Sequence, residues 1–584
     1  MKKNNYKLLT LLIAVSMGFY SCVSDLDVTP IDPSVNQTFD QNAVFAKIYS
    51  GFQLTGLKGP EGNPDVTAAN EGQMGLYRGF WNLNEFPTDE VCWAYESNYK
   101  IYELQTNKPT SSNPWIQNVY EYSFIEIVMC NSFLDLTANK TDGETIKQRA
   151  EIRFIRALHY SNLLDLYGNV PFVTTVSTEL PKQIARKDLF AWIEGELKAI
   201  EPDMYQTKSS HDYYRVDVVA DWLLLSRLYL NAEVYTGTAQ WTNAAIYAKK
   251  VIDSEYTLAT KYKYLFMGDN AGTIDGSNVN DAPNEIIFPV AANGKKTCSY
   301  AGSCYLVASP SFTNMTDSVV SNFLVKSKWG CNRVKPSLTK KFFPSGVLPT
   351  GSEAAIDLRV AANDDRAMLF AKGRTIAMTD RTDPGQGLTT FKFTNQRADG
   401  VNSKISDETF PEMDIPLMRK AEAYLTYAEA ILRGGATQDG FSALQAVQAV
   451  RARANASTIS SVTLDDVLDE WSREFYFEGR RRTDLIRFGY FGGNNNYFWD
   501  WKGGILTGTQ FDKHYNLYPL PDTDLSAAMP GRLPSFKRSI PFFTSILFCP
   551  VTGTMSAKVP NATKSRTSRI SAPDLLSGSS RLWT

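Results

Sequence analysis

Residues 148–173, QRAEIRFIRALHYSNLLDLYGNVPFV, decide the fold class. Ala150, Phe154, Ala157, Leu158, Ser161 and Leu164 recur at steps of three and four, giving one close-packing face on a helix over 144–167. Gly168 follows as a left-handed C-cap, and Pro171 blocks continuation. Outward from there, the same period predicts helices over 114–136, 188–200, 218–235 and 241–252. Ala220, Trp222, Leu223, Tyr229 and Ala232 have the small-and-aromatic pattern of tetratricopeptide helix pairs. A first helix runs from Asp40 to Gly51 or Gly56. Helices return at 417–432, 441–454 and 463–487, the last opened by Thr463 and Asp466 in capping-box spacing. Residues 57–113 and 262–414 are loop-like in composition, with short apolar pieces such as 286–290 and 303–307. Loops that long inside a helical protein are ordinarily functional. The predicted fold is mostly α: a tetratricopeptide-like helix-pair scaffold (an α-α superhelix) with a large loop-rich, ligand-binding half. Its helical core is 41–56, 114–260 and 415–490.

Of the 584 residues, 43% are hydrophobic and 21% charged, which excludes a largely disordered chain. Lys and Arg number 60 against 62 Asp and Glu, so no basic surface for nucleic acid is expected. The mean hydropathy is −0.26, and no internal stretch offers the roughly 20 apolar residues of a membrane span. Three histidines, His159, His211 and His514, argue against a multi-histidine metal centre. Cys92, Cys130, Cys298, Cys304, Cys331 and Cys549 form no C-x-x-C pair and read as mostly buried thiols, with a Cys298–Cys304 bridge left open. No Walker loop, H-E-x-x-H or ordered Ser-His-Asp set is present.

Met1 to Ser21 reads as an export signal: Lys2, Lys3 and Lys7 precede an apolar core over Leu8 to Phe19. Ser21 before Cys22 fits cleavage with Cys22 lipidated, although Phe19 and Tyr20 match the lipoprotein box poorly. The plainer alternative is a secretory signal with a chance cysteine. Residues 22–40 then form a polar linker.

Four segments carry a resemblance: 148–173 above, IPLMRKAEAYLTYAEAILRGG (415–435), DEWSREFYFEGRRRTDLIRFG (469–489) and YPLP (518–521). They resemble the RagB/SusD family of outer-membrane nutrient-binding lipoproteins, and IDPSVNQTFDQNAVF, NEFPTDEVCWA, LYLNAEVYTG and WDWKGG match its starch-type members. The resemblance runs from Cys22 to about residue 524 and defines a domain over 41–526. It implies four helix pairs against a loop-rich half, and a lipid anchor on the cell surface as the only membrane attachment. It also implies a TonB-dependent transporter of the SusC type as partner, beside other surface glycan-binding lipoproteins. The function it implies is capture of starch-like α-glucans and maltooligosaccharides, without enzymatic activity. A same-fold receptor for another glycan or a peptide is the alternative. A glycoside hydrolase needs two carboxylates across the bond, and the aromatic loops offer no such pair.

A sugar presents apolar C–H faces and a polar rim, so its site wants flat rings flanked by planar hydrogen-bonding groups. Trp93 and Tyr95 are two apart and point the same way in an extended segment, with Asn98 close behind. Arg78 offers a two-pronged donor. By the resemblance, Trp93, Tyr95 and Tyr300 form an aromatic arc, Arg78 and Asn98 bond sugar hydroxyls, and Trp329 flanks them or belongs to the core. Tyr95 stands where the family suggests tryptophan, and Asn70 where it suggests aspartate. Trp222, Trp471 and Trp499 are assigned to the core. Glu412 and Asp414 precede a helix and read either as acids placed at a helix N-terminus or, by the resemblance, as ligands of a structural calcium; no cofactor is otherwise required. Glu478, Arg480, Arg481, Arg482 and Asp484 read as an internal ion-pair network rather than a phosphate site. From Gly531 on, the chain carries eight Lys or Arg, one acid (Asp574) and ten Ser. The tail 527–584 departs from the family, and reads as a shifted reading frame that packs poorly or as an added basic arm.

Overall fold

The computed structural model describes residues 39–527 except 57–59, 61–63, 68–69, 71, 96–98, 178, 273–278, 313–327, 352–357 and 400–408. Cys22, Asn98, Cys549 and the tail beyond 527 lie outside the described residues.

The first helices are α1 (Gln41–Ser50) and α2 (Leu76–Glu85), then strand β1 (Val91–Trp93), α3 (Ile101–Gln105), α4 (Pro114–Leu136) and α5 (Gly143–Leu166). The hairpin β2 (Val170–Phe172) and β3 (Lys182–Ile184) leads into α6 (Arg186–Ile200), α7 (Val218–Leu230), α8 (Ala232–Thr236) and α9 (Trp241–Ile252). The loop-rich half holds β4 (Ile286–Val290), α10 (Ser303–Ala308), β5 (Asn332–Val334), α11 (Pro336–Phe342), α12 (Arg359–Ala362), β6 (Leu369–Phe370) and β7 (Thr389–Thr390). The chain returns through β8 (Ile415–Arg419) to α13 (Ala421–Leu432), α14 (Ala443–Arg453), α15 (Leu464–Phe475), α16 (Arg481–Arg487) and α17 (Asp522–Ala527).

Helices α4 to α7, α9, α13 and α14 stack in series, each against the next. The step from α9 to α13 is direct although residues 253–420 intervene, so the loop-rich half is an insertion between two neighbouring rungs. Asp40, Asn113, Asp142, Asp217, Ser442 and Thr463 cap α1, α4, α5, α7, α14 and α15, and the Thr463–Asp466 capping box forms. Gly168 adopts φ +76 after α5, the left-handed conformation its position requires.

Four expectations change. Residues 57–113, read as loop, hold α2, β1 and α3. Helix α2 is only ten residues long and stands among Gly, Pro and Asn, which hides it; it is buried nearly all round, polar Arg78, Asn82, Asn84 and Glu85 included. Residues 417–419 extend β8, paired antiparallel with β4, and the helix starts only at Ala421. The helix expected over 463–487 breaks at 476–480, where Phe477 (φ +64) and Gly479 (φ +78) turn left-handed. Asn231 likewise splits 218–235 into α7 and α8.

The charged motif is internal, as read. Arg419 reaches Glu478, Glu474 and Glu285 at 2.8, 2.6 and 3.1 Å, and Arg366 reaches Glu470 at 2.6 Å. Arg481 grips Asp89 and Arg487 grips Glu429 and Asp484. Burial alone would raise Glu474, but Arg453, Arg419 and Arg366 hold it well below the usual carboxylate range. The network ties α15 to both loop-borne Arg366 and β8-borne Arg419. Trp471 and Trp499 are buried and Trp222 is half-buried, its indole donating to Glu201.

Candidate functional site

Strand β1 pairs antiparallel with β5, Trp93 opposite Asn332, and Ala94 N–H donates to the Cys331 carbonyl at 2.8 Å. Gln105 of α3 clamps Trp93 from the side, its Oε1 accepting from Trp93 N–H at 2.7 Å. This fixes the direction in which the chain leaves β1 and puts Tyr95 outside, 52% exposed. Its hydroxyl donates to the Trp329 carbonyl at 2.9 Å, so the exposed ring is pinned across the gap between the two loop regions. Trp329 and Tyr300, both half-buried, lie 6.4 Å apart between centroids, and Phe410 stands 5.0 Å from Tyr300.

Below this rim Trp93 meets Tyr95 edge-on at 5.9 Å and is itself 2% exposed. That corrects its expected place as an open platform: Phe86 packs against it at 5.7 Å, and the indole is the floor on which Tyr95 stands. Arg78 is also deeper than expected, at 1% exposure. Its guanidinium carbon lies 4.4 Å from the Tyr305 ring, 5.2 Å from Trp115, 5.6 Å from Trp329 and 5.9 Å from Trp93. Burial lowers its pKa, with Tyr305 and the Cys331 and Cys304 thiols pulling the other way. Aromatic faces hold this cation where a carboxylate ordinarily would. Arg78 Nε and Nη1, Trp93 Nε1 and Trp115 Nε1 are buried donors with no protein acceptor. Four unsatisfied N–H groups in one aromatic cluster are costly unless an acceptor-rich molecule reaches them.

Asn70 does not join the cluster. Its Oδ1 accepts from Gln73 N–H at 2.9 Å and its Nδ2 donates to the Tyr99 hydroxyl at 3.2 Å, which uses its amide in a turn. Asn98 lies outside the described residues. Tyr305, Trp115 and Phe410 were missed. Tyr305 lay in a short apolar piece and Trp115 at a helix start, where an aromatic reads as core, and both are indeed buried. Cys304 is a thiol near the Thr409 carbonyl and is not bridged to Cys298.

Glu412 and Asp414 are both buried just ahead of β8. Asp414 Oδ1 accepts from Ala292 N–H at 2.7 Å, while its Oδ2 is buried and receives no donor. Glu412 lies near the cations of Arg397 and Lys295. A hard cation wants six or more oxygens, and these two side chains supply only part of such a set. Among the described residues, no three His, Cys, Asp or Glu side chains gather as ligands. No helix among them is long and apolar enough to cross a membrane.

A family model described as the SusD family matches residues 362–530. The Starch-binding protein SusD of Bacteroides thetaiotaomicron is 42% identical over 549 residues, covering 88% of this chain and 96% of that protein. A SusD-like protein of Bacteroides ovatus is 33% identical over 137 residues, 22% of this chain and 24% of that one. Among solved structures, Surface glycan-binding protein A from Bacteroides thetaiotaomicron in complex with laminarihexaose aligns with TM-score 0.61 at 16% identity, over 84% of this chain and 97% of that one. A SusD homolog from the same organism aligns with TM-score 0.62 at 17% identity, over 85% and 97%. These structural likenesses carry the fold.

Proposed function

The chain belongs to the SusD family, and on that premise we propose that it is a cell-surface lipoprotein that captures starch-like α-glucans and maltooligosaccharides. It passes them to a TonB-dependent outer-membrane transporter of the SusC type, alongside other surface glycan-binding lipoproteins. The lipid on Cys22 is its anchor. It binds its ligand and does not cleave it. The observation that carries the reading is the Tyr95 ring, half exposed and pinned to the Trp329 carbonyl, above a cluster of buried donors without acceptors. A pyranose ring stacks its C–H face on such a ring and turns its hydroxyl oxygens toward such donors. The 42% identity to a protein named for starch binding supports the choice of ligand.

Retardation in amylopectin-containing native gels tests it, with chromatography of maltoheptaose incubated alongside. Retardation that Tyr95→Ala/Tyr300→Ala abolishes, with the oligosaccharide intact, is expected. Undiminished retardation of the double variant places the site elsewhere, and shortened oligosaccharide makes the protein a hydrolase.

A further inference from the structure

The WDWKGG segment (499–504) stands apart from the aromatic cluster and sends its two indoles different ways. Trp499 is buried in a small core with Phe491 and Phe511, whereas Trp501 is half-buried and packs into neither apolar core. In an extended segment residues two apart share a side. Trp501 instead takes φ +69, a left-handed conformation that bulky residues rarely adopt. Its N–H donates to the Leu506 carbonyl at 3.2 Å, and its indole Nε1 donates to the Met378 carbonyl at 3.0 Å. The ring is thus fixed by its polar edge, and among the described residues no ring or cation stacks on its face. The same loop and α3 carry three exposed apolar side chains, Tyr102 (43%), Phe498 (47%) and Ile505 (51%). A Cβ on Gly508 would stand 3.2 Å from Phe498 Cβ, and Gly508 N–H donates to the Ile505 carbonyl at 2.8 Å. The loop rests on the end of α3: Gly503 N–H donates to Asn107 Oδ1 at 2.9 Å, and a Cβ on Gly504 would stand 3.2 Å from Thr106 Cβ. The Thr106 hydroxyl donates to the Tyr102 carbonyl at 2.8 Å.

We propose that Trp501, with Tyr102 and Phe498, forms a second stacking platform for the same starch-like chain, outside the Tyr95 cluster. The two surfaces are continuous through α3. Gln105 of that helix holds Trp93, the floor under Tyr95, by bonds of 2.7 and 3.3 Å. Tyr102 precedes Gln105 by three residues, about 4.5 Å along the axis at ~1.5 Å per residue. One short helix therefore braces the floor of the first site and the base of the second. The chemistry of the patch suits a neutral sugar. Lys502, the one cation of residues 498–510, is turned inward onto the Tyr490 and Tyr497 carbonyls and Asn495 Oδ1, at 2.9, 2.7 and 3.0 Å. That leaves no cation of this loop at the surface for an acidic partner. Asp500 is half-buried, and neither its carboxylate nor the Tyr102 hydroxyl has a hydrogen-bond partner among the described residues. A ring with an open face, beside an unpaired carboxylate and hydroxyl, matches the C–H face and hydroxyl rim of a pyranose. A long glucan lying across both surfaces gains avidity, while the second surface alone holds weakly. Loss of the Tyr95 cluster therefore still removes gel retardation.

The inference rests on the glycan reading, and the test separates the two. Protein carrying 5-fluorotryptophan is titrated with maltotriose to millimolar concentration. The Trp501 fluorine resonance, assigned by its absence from Trp501→Phe, is followed in the wild type and in Tyr95→Ala/Tyr300→Ala. It is expected to shift in both. Trp501→Ala is expected to weaken amylopectin retardation several-fold, with maltotriose affinity by calorimetry, the thermal midpoint and the sedimentation coefficient as in the wild type. Should Trp501→Ala misfold, Tyr102→Ser/Phe498→Ser, two exposed changes, replaces it with the same expectation. A Trp501 resonance that stays put in Tyr95→Ala/Tyr300→Ala overturns the platform, whatever the gels show. So does full retardation of Trp501→Ala, or retardation that falls in step with its maltotriose affinity, which would make Trp501 a prop of the first site. A changed sedimentation coefficient gives the patch to a second copy of the chain and overturns it too. Should the wild type show no retardation, the reading of the Tyr95 cluster fails, and the Trp501 resonance alone judges the platform.

Discussion

Replacing Glu474 by Gln should cost more stability than any single change in the aromatic cluster. Glu474 is fully buried and accepts from Arg419 at 2.6 Å, from Arg366 at 3.3 Å and from Arg453. Glutamine keeps the shape and one acceptor, so the change isolates the charge. Arg453 then keeps only Glu285, and Arg419 keeps Glu285 and Glu478. Removing one partner from a buried ion set typically costs about 3–5 kcal/mol, because the remaining charge stays desolvated. Against a typical total of ~5–15 kcal/mol, that is a large share. Equilibrium guanidinium unfolding followed by circular dichroism at pH 7 reads it. Glu474 is held below its unfolded value, so its contribution is present above about pH 4.3 and is lost as pH falls through the folded pKa. The gap between wild type and variant should therefore narrow below pH 4. A loss under ~1 kcal/mol at pH 7, or a gap that widens in acid, would refute the view that these charges stitch the inserted half to α15.

Tyr95→Ala should weaken maltoheptaose binding by ~1–2 kcal/mol while leaving the thermal midpoint unchanged, since the ring is half exposed and anchored by one hydrogen bond; calorimetry with thermal unfolding checks both. Gly51→Ala should destabilise by ~1–3 kcal/mol, because the added Cβ would stand 1.9 Å from buried Glu126 Oε1; the double variant with Glu126→Ala should recover most of that, and a milder cost without recovery counts against the clash. Cys22→Ser should move the protein from the membrane fraction to the soluble one, and continued membrane attachment argues against the lipid anchor. Truncation after Ser526 should leave glycan binding and the unfolding midpoint in place if the tail is a shifted frame; a loss of several kcal/mol would make it an arm that docks.

The scaffold was legible because its helices obey a period. Ala150, Phe154, Ala157 and Leu158 announce α5, and Pro114, Gly168 and Thr463 mark the start of α4, the end of α5 and the start of α15, within two residues of where the structure puts them. Legibility fails where burial is not one-sided. Helix α2 is short, set among Gly- and Asn-rich sequence, and enclosed nearly all round, so its polar stripe of Arg78, Asn82 and Glu85 is buried instead of facing solvent. The same property hides half of the site. A sequence shows that Trp93 and Tyr95 share a side, but not that pairing with β5 and packing by Phe86 and Gln105 bury one ring and expose the other. Depth comes from β5 and α10, hundreds of residues away, which bring Tyr305 under Arg78 and the Trp329 carbonyl to Tyr95.

The insertion between α9 and α13 explains why these distant pieces meet reproducibly. A repeat scaffold transmits order only between neighbouring rungs, so a loop-rich half hung on one junction has no fold of its own unless the scaffold grips it elsewhere. The grips are polar: Arg366 and Arg419 on Glu470, Glu474 and Glu478, Arg481 on Asp89, and Glu85 and Glu90 on Gly479, Arg480 and Ser472. All converge on residues 470–481, the motif whose charge density could have suggested a phosphate site. Hydrophobic contact alone would tolerate small slips between the halves, whereas hydrogen-bonded charges in a dry interior have one favourable geometry and a steep cost for leaving it. The motif is thus the base on which α2 and β1 stand. The aromatic cluster keeps its shape through that base, with few polar bonds of its own to the scaffold helices.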